Sequence, residues 1–250
     1  MSNADDRRRI EHVWFDQDDT LYDYHEAADG ALAECLDRLH EICPATRSVV
    51  DVDTLRRVRN AITAHARSEG LDLIEARYVS FQRILQRYAR ADDVLADDLT
   101  GIYFQTLSAG IRPFPGVVEC LNRLADAGYV LGILSNGVSY LEQLGLADLF
   151  EHQIYANDLL VFKPDRGIFD HAIAESGARP EQCVLVGDSC VCDIEGAREA
   201  GWTGVWVRHD ARHWETDARP PKHVVTCLAQ LPEFIEALNT NGKESGEQHR

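Results

Sequence analysis

The sequence predicts an α/β protein: a parallel sheet covered by helices on both faces, interrupted near its start by a block of helices. Three observations carry this. The apolar stretch Val13, Trp14, Phe15 runs straight into a cluster of acids, the pattern of a buried strand that ends at a site. Residues 26–110 switch to helical periodicity, with Ala27, Ala31, Leu32, Cys35, Leu36 and Leu39 on one stripe. From residue 117 onward, short apolar runs alternate with amphipathic stretches, and that alternation specifies parallel strands joined by helices.

The first strand spans residues 10–16, and three further helices are expected at 54–68, 73–88 and 94–107. Arg112-Pro113-Phe114-Pro115-Gly116 then breaks the helical pattern, because each proline lacks an amide donor and restricts the residue before it. Beyond it the reading is helix 117–127, strand 130–134, helix 139–144, strand 153–156, helix 168–176, strand 183–186, helix 194–200 and strand 204–207. Residues 224–227 add an edge strand and 231–238 a final helix. The expected division is a core of 1–22 and 111–238, a helical insert of 23–110, and a polar tail of 239–250 that has little to bury and reads as disordered.

Composition narrows the function classes. The chain has 250 residues, 45% hydrophobic, enough for a sizeable core. No run approaches the roughly 18 to 20 apolar residues of a membrane helix, and Met1 to Arg9 is polar. A net charge of -17 repels a phosphate backbone, so no nucleic-acid polymer is expected as a partner. The seven cysteines are scattered without metal-ligand spacing, which fits free thiols in a reducing cytoplasm. Lysine occurs only at Lys163, Lys222 and Lys243, so a lysine at a motif position carries more weight here than in an ordinary chain.

Four segments carry chemistry. In a parallel sheet the strand carboxyl ends share one edge, where ligands bind. The first strand ends in Asp16-Gln17-Asp18-Asp19-Thr20, where Asp16 and Asp18 can face a common ligand while Gln17 points elsewhere. The next ends in Ser135-Asn136-Gly137, a hydroxyl and amides suited to a phosphate oxygen. Lys163-Pro164-Asp165 follows the third strand, where the lysine can neutralise a bound phosphate. Finally Gly187-Asp188-Ser189 ends an apolar strand, with Asp193 five residues after Asp188. Asp16, Asp18, Asp188 and Asp193 at one edge call for a cation, and a hard, oxygen-seeking ion such as magnesium suits them.

This ordered set resembles the four motifs of the haloacid dehalogenase superfamily, and the insert stands where subfamily I of that group carries its helical C1 cap. The resemblance implies a Rossmann-like three-layer core and a phosphatase-like hydrolase acting on a small phosphorylated metabolite, as a monomer or homodimer. It implies Asp16 as a nucleophile that is transiently phosphorylated and Asp18 as acid and base. It implies Mg2+ held by Asp16, the Asp18 carbonyl and Asp188, with Asp193 orienting the shell. Ser135, Asn136 and Lys163 would hold the phosphoryl group, with Thr20 supporting the loop. A phosphosugar mutase and a haloacid dehalogenase remain the alternatives within the family, although its dehalogenases lack the second acid of the first motif. A phospho-accepting signalling protein is the alternative from another class. His209, His213, Arg77 and Arg83 read as solvated, and Trp202 and Trp206 as core.

Overall fold

The computed structural model describes residues 9–208 and 219–247, so His209 and His213 lie outside the described residues. The chain divides into two compact units, Asp23–Arg112 and Met1–Tyr22 with Pro113–Arg250.

The unit Asp23–Arg112 is helical: α1 (Tyr24–Ile42), α2 (Val52–Glu69), α3 (Leu73–Tyr88) and α4 (Asp93–Gly110). Acids fix all four starts, and at α2 Asp51 accepts from the Thr54 amide at 2.8 Å. Asp23 accepts from the Glu26 amide at 2.9 Å, Asp92 from Leu95 at 3.0 Å, and Asp72 exchanges hydrogen bonds with Glu75 at 2.8 and 2.9 Å. Each bond satisfies an amide that the first helical turn leaves without a partner, which contributes about 1 kcal/mol. The periodic stripe of α1 is buried at Ala27, Ala31, Leu32, Cys35 and Leu39, and α1 packs mainly on α4. Arg83 is exposed as expected, but Arg77 is 4% exposed. Its guanidinium lies 4.5 Å from the centre of the Tyr103 ring, whose negative face compensates part of the lost hydration.

The other unit is built on six parallel strands: β1 (His12–Phe15), β2 (Val130–Ser135), β3 (His152–Tyr155), β4 (Cys183–Gly187), β5 (Thr203–Val207) and β6 (Val224–Val225). Their order is β3-β2-β1-β4-β5-β6. The central strands are covered on both faces, which is why β4 is buried throughout and β1 is buried from Val13 to Phe15. Trp14 and Phe15 point to opposite faces. Trp14 packs with Phe169, Ala172, Ala197 and Trp202, bringing α7 (Arg166–Ser176) and α8 (Gly196–Ala200) onto one face. Phe15 meets Phe150 edge-on at 6.2 Å, and α5 (Val117–Asp126) packs on β2 and on α9 (Leu231–Glu247). A short helix, α6 (Ala156–Leu159), follows β3. Trp202 and Trp206 are both buried, as the sequence suggests.

Two further expectations need correction. Residues 141–145 form turns rather than a helix. Gly145 adopts a φ of 66°, and so short a segment closes too few hydrogen bonds to repay helix nucleation. The expected disordered tail from residue 239 is instead helical to Glu247. Asn239 secures it by accepting from the Ile10 amide at 2.7 Å and lying 3.2 Å from both the Ile10 carbonyl and the Tyr129 hydroxyl. That anchor joins residues more than two hundred positions apart, so local composition could not show it. Among the described residues no helix is long and apolar enough to cross a membrane, and no disulfide joins any of the seven cysteines.

Candidate active site

The register of β1 decides where the acids go. Phe15 pairs with Ile133 of β2 and with Val186 of β4, so Ser135 and Asp188 follow at nearly the same level as Asp16. Strand order reverses direction at β1, the switch point of a Rossmann-like sheet, and Asp16 is fixed there by donating its amide to the Val186 carbonyl at 2.9 Å. The chain then turns sharply: the amides of Thr20 and Leu21 both donate to the Gln17 carbonyl, and Asp19 takes a φ of 58°. This left-handed conformation explains why a glycine would suit position 19 and why Asp, among the more tolerant residues, can occupy it.

Lys163 is the buried hub. Its Nζ lies 2.8 Å from Asp16 Oδ1 and 2.7 Å from Asp193 Oδ1. Burial works against its ammonium, but the two carboxylates outweigh that and hold its pKa above the ordinary lysine range. Asp193 is fully buried, and its second oxygen accepts from the Ser189 amide at 2.9 Å. It fits because residue 187 is glycine: a Cβ there would overlap the Asp193 side chain. Asp188 is held through its carbonyl, which accepts from Trp206 Nε1 at 2.9 Å.

Asp16, Asp188 and Asp193 each present a carboxylate oxygen, all within 4.8 Å of one another. Two of these carboxylates, Asp16 and Asp193, contact the Lys163 ammonium. Burial, then the Asp16 charge, pushes the Asp18 carboxyl up to about 8, against the lowering effect of a Tyr22 hydrogen bond. Burial likewise raises Asp16, against the pull of Lys163. The oxygens of Asp16, Asp188 and Asp193 form an all-oxygen donor set of the kind a hard divalent cation prefers. The residues present therefore fit a metal ion.

The remaining expected residues divide. Ser135 is buried, with its Oγ accepting from the Gly137 amide at 3.0 Å. Thr20 is buried in the turn, and its hydroxyl has no hydrogen-bond partner among the described residues. Asn136, expected at the phosphate, has its side-chain amide on the Lys163 backbone: Oδ1 accepts from Lys163 N at 2.8 Å and Nδ2 donates to Lys163 O at 3.0 Å. Gln17, Tyr22 and Tyr155 were missed. Gln17 is fully buried and bonded to both tyrosines. A polar residue inside the Asp16–Thr20 run was the available signal, though nothing local identified its partners. Cys192, which lies 3.8 Å from Asn136 Nδ2, has its thiol pKa raised by burial.

Sheet order and the acidic cluster at its switch point define an enzyme core of the Rossmann-like class. The chain belongs to the haloacid dehalogenase-like hydrolase family, whose model matches residues 10–201. It is similar to a glyceraldehyde 3-phosphate phosphatase of Pyrococcus furiosus, 28% identical over 97% of this chain and 98% of the relative. It is also similar to the pyrimidine 5'-nucleotidase YjjG of Escherichia coli, 25% identical over 89% of this chain and 96% of that protein. A crystal structure of a 2-haloacid dehalogenase from Pseudomonas syringae pv. Tomato DC3000 superposes with a TM-score of 0.73 and 32% identity, covering 91% of this chain and 98% of that one.

Proposed function

We propose that this hydrolase is a magnesium-dependent phosphatase that cleaves small phosphomonoesters through an aspartyl-phosphate on Asp16. The observation that carries the reading is the second acid: Asp18 stands two residues beyond Asp16 with a carboxyl whose pKa is pushed up to about 8, a group suited to deliver a proton near neutral pH. A carboxylate that displaces halide from carbon has no need of such a donor.

The Asp16 carboxylate attacks phosphorus, and the bond from phosphorus to the ester oxygen breaks. That oxygen keeps the electron pair and takes the Asp18 proton, leaving as a neutral alcohol. Asp18, now a carboxylate, takes a proton from water as the water oxygen attacks the phosphoryl group. The bond to Asp16 breaks, which releases inorganic phosphate and restores the carboxylate. Lys163, with Nζ 2.8 Å from Asp16 Oδ1, stands where it can balance charge on the transferring oxygens. The Ser135 hydroxyl can donate to one of those oxygens, since it accepts its own hydrogen bond from Gly137.

Asp16, Asp188 and the Asp18 carbonyl would hold the magnesium, with Asp193 fixing the shell through Lys163 and the Ser189 amide. When bound, the ion would neutralise charge on the phosphoryl oxygens. Full-length similarity to a glyceraldehyde 3-phosphate phosphatase makes three-carbon phosphates the first substrates to try. Seven cysteines without a disulfide fit a reducing cytoplasm.

The test is hydrolysis of an aryl phosphate and of glyceraldehyde 3-phosphate by wild type and Asp16→Asn, each with magnesium and with EDTA. Activity should require both Asp16 and the metal. Full activity in Asp16→Asn would remove the nucleophile. The 32% identical dehalogenase supports a second reading, so 2-chloropropionate belongs in the same assay, and halide release without phosphate release would favour it.

A further inference from the structure

Beneath the Asp16–Thr20 turn lies a chain of hydrogen bonds that this reaction does not yet use. Gln17 is fully buried, and its Nε2 donates to the Tyr155 hydroxyl at 3.1 Å. Tyr155 lies 3.0 Å from Ser139 Oγ and 3.1 Å from Gln153 Oε1, either of which can take its proton. With its nitrogen committed to Tyr155, Gln17 presents Oε1 to the Tyr22 hydroxyl at 2.9 Å. The same hydroxyl lies 3.0 Å from Asp18 Oδ1, so its single hydrogen is shared between the Gln17 and Asp18 oxygens.

Tyr22 has little freedom to leave. It is fully buried, its ring stands edge-on to Tyr140 at 5.9 Å, and its carbonyl accepts from the Asp19 amide at 2.9 Å. A buried glutamine is costly where an aliphatic side chain would fill the space, unless its hydrogen bonds fix something an apolar residue could not. What they fix here is a phenol beside Asp18.

The two Asp18 oxygens thereby become different. Oδ1 faces the phenol. Oδ2 lies on the other side, 2.6 Å from where a Cβ at residue 137 would stand, and so against the Ser135–Gly137 strand tip. We propose that Tyr22, anchored by Gln17, is a positioning residue that reserves Oδ1 of Asp18 for the phenol and leaves Oδ2 as the oxygen that gives and takes the proton. The inference rests on the phosphatase reading, because it assigns a task to one oxygen of that reaction's acid. Without the phenol the carboxyl can rotate about its Cβ–Cγ bond, and the proton is no longer held toward the strand tip.

The test exploits the leaving group. An aryl phosphate such as 4-nitrophenyl phosphate departs as a stable phenolate that hardly needs a proton, whereas an alkyl phosphate departs as an alkoxide that does. Tyr22→Phe keeps the ring, so its melting temperature serves as the folding control, and Gln17→Leu is a second variant in the same chain of bonds. For Tyr22→Phe, kcat/KM on an alkyl phosphate should fall about 10- to 100-fold, within the range of general acid catalysis, and on the aryl ester less than about threefold. In an Asp18→Asn background Tyr22→Phe should cost nothing further. Equal losses on both esters, or an undiminished loss in the Asp18→Asn background, would make Tyr22 a structural residue and overturn the proposal. If Asp18→Asn itself does not discriminate between the esters, the acid assignment fails, and the role of Tyr22 falls with it.

Discussion

Asn136 holds Lys163 by both polar atoms of one residue's backbone, its Oδ1 2.8 Å from the Lys163 amide nitrogen and its Nδ2 3.0 Å from the Lys163 carbonyl oxygen. The loop that brings Lys163 to the sheet is thus fastened to the tip of β2, and the ammonium arrives between Asp16 and Asp193 by way of that clamp.

Asn136→Ala removes both bonds and leaves two partly buried backbone groups without them. We expect a stability loss of about 1–3 kcal/mol and a rate loss on the order of tenfold, since Lys163 is retained but less well placed. Thermal melts and steady-state kinetics check this. An unchanged rate would mean that the clamp does not position the lysine.

Lys163→Met tests the hub itself. The side chain is 1% exposed and offsets two carboxylates, so its loss leaves buried charge uncompensated, at a cost of about 3–5 kcal/mol. Magnesium should then stabilise the variant more than it stabilises wild type, because the ion would face the same carboxylates without a competing cation. Melting curves with magnesium and with EDTA give both quantities, and a variant as stable as wild type in EDTA would contradict the expectation.

Gly187→Ala places a methyl group into the Asp193 side chain. Neither neighbour can yield easily, because Asp193 is tied to Lys163 and to the Ser189 amide. A destabilisation of about 1–3 kcal/mol and weaker magnesium binding should follow, measured by denaturant titration and calorimetry. Wild-type values in both would show that the turn after β4 can shift without consequence.

The metal-free protein should lose stability as pH rises from about 4 through 8. Asp18 is pushed up to about 8 by burial, so over that window the folded protein keeps a proton that the unfolded chain, with a carboxyl near its ordinary value, has released. Folding then binds protons, and raising the pH opposes it. Magnesium should accordingly raise the melting temperature more at pH 8 than at pH 5.5. Melts in EDTA across this range, with Asp18→Asn as control, would show the slope shrinking in the variant; an identical slope in both would assign it to other groups.

Much of this molecule was legible in the chain. The run of Val13, Trp14 and Phe15 into acids, the alternation after residue 117 and the stripe of α1 each follow from a local period, and a local period is a property of sequence. Asp16 and Asp188 were legible for a related reason: each directly follows a strand, and the carboxyl ends of parallel strands share one edge. Tertiary structure alone decided the partners. Asp193 joins Asp16 on one ammonium, Asn136 serves the Lys163 backbone rather than an open loop, and Gln17 meets Tyr22 and Tyr155, all across segments whose separation in sequence carries no signal. It also fastened α9 through Asn239 to Ile10. The physical reason is the same in each case. A hydrogen bond depends on direction and on a few tenths of an ångström, which are set only when the elements have packed, whereas burial and period are already written in the order of the side chains.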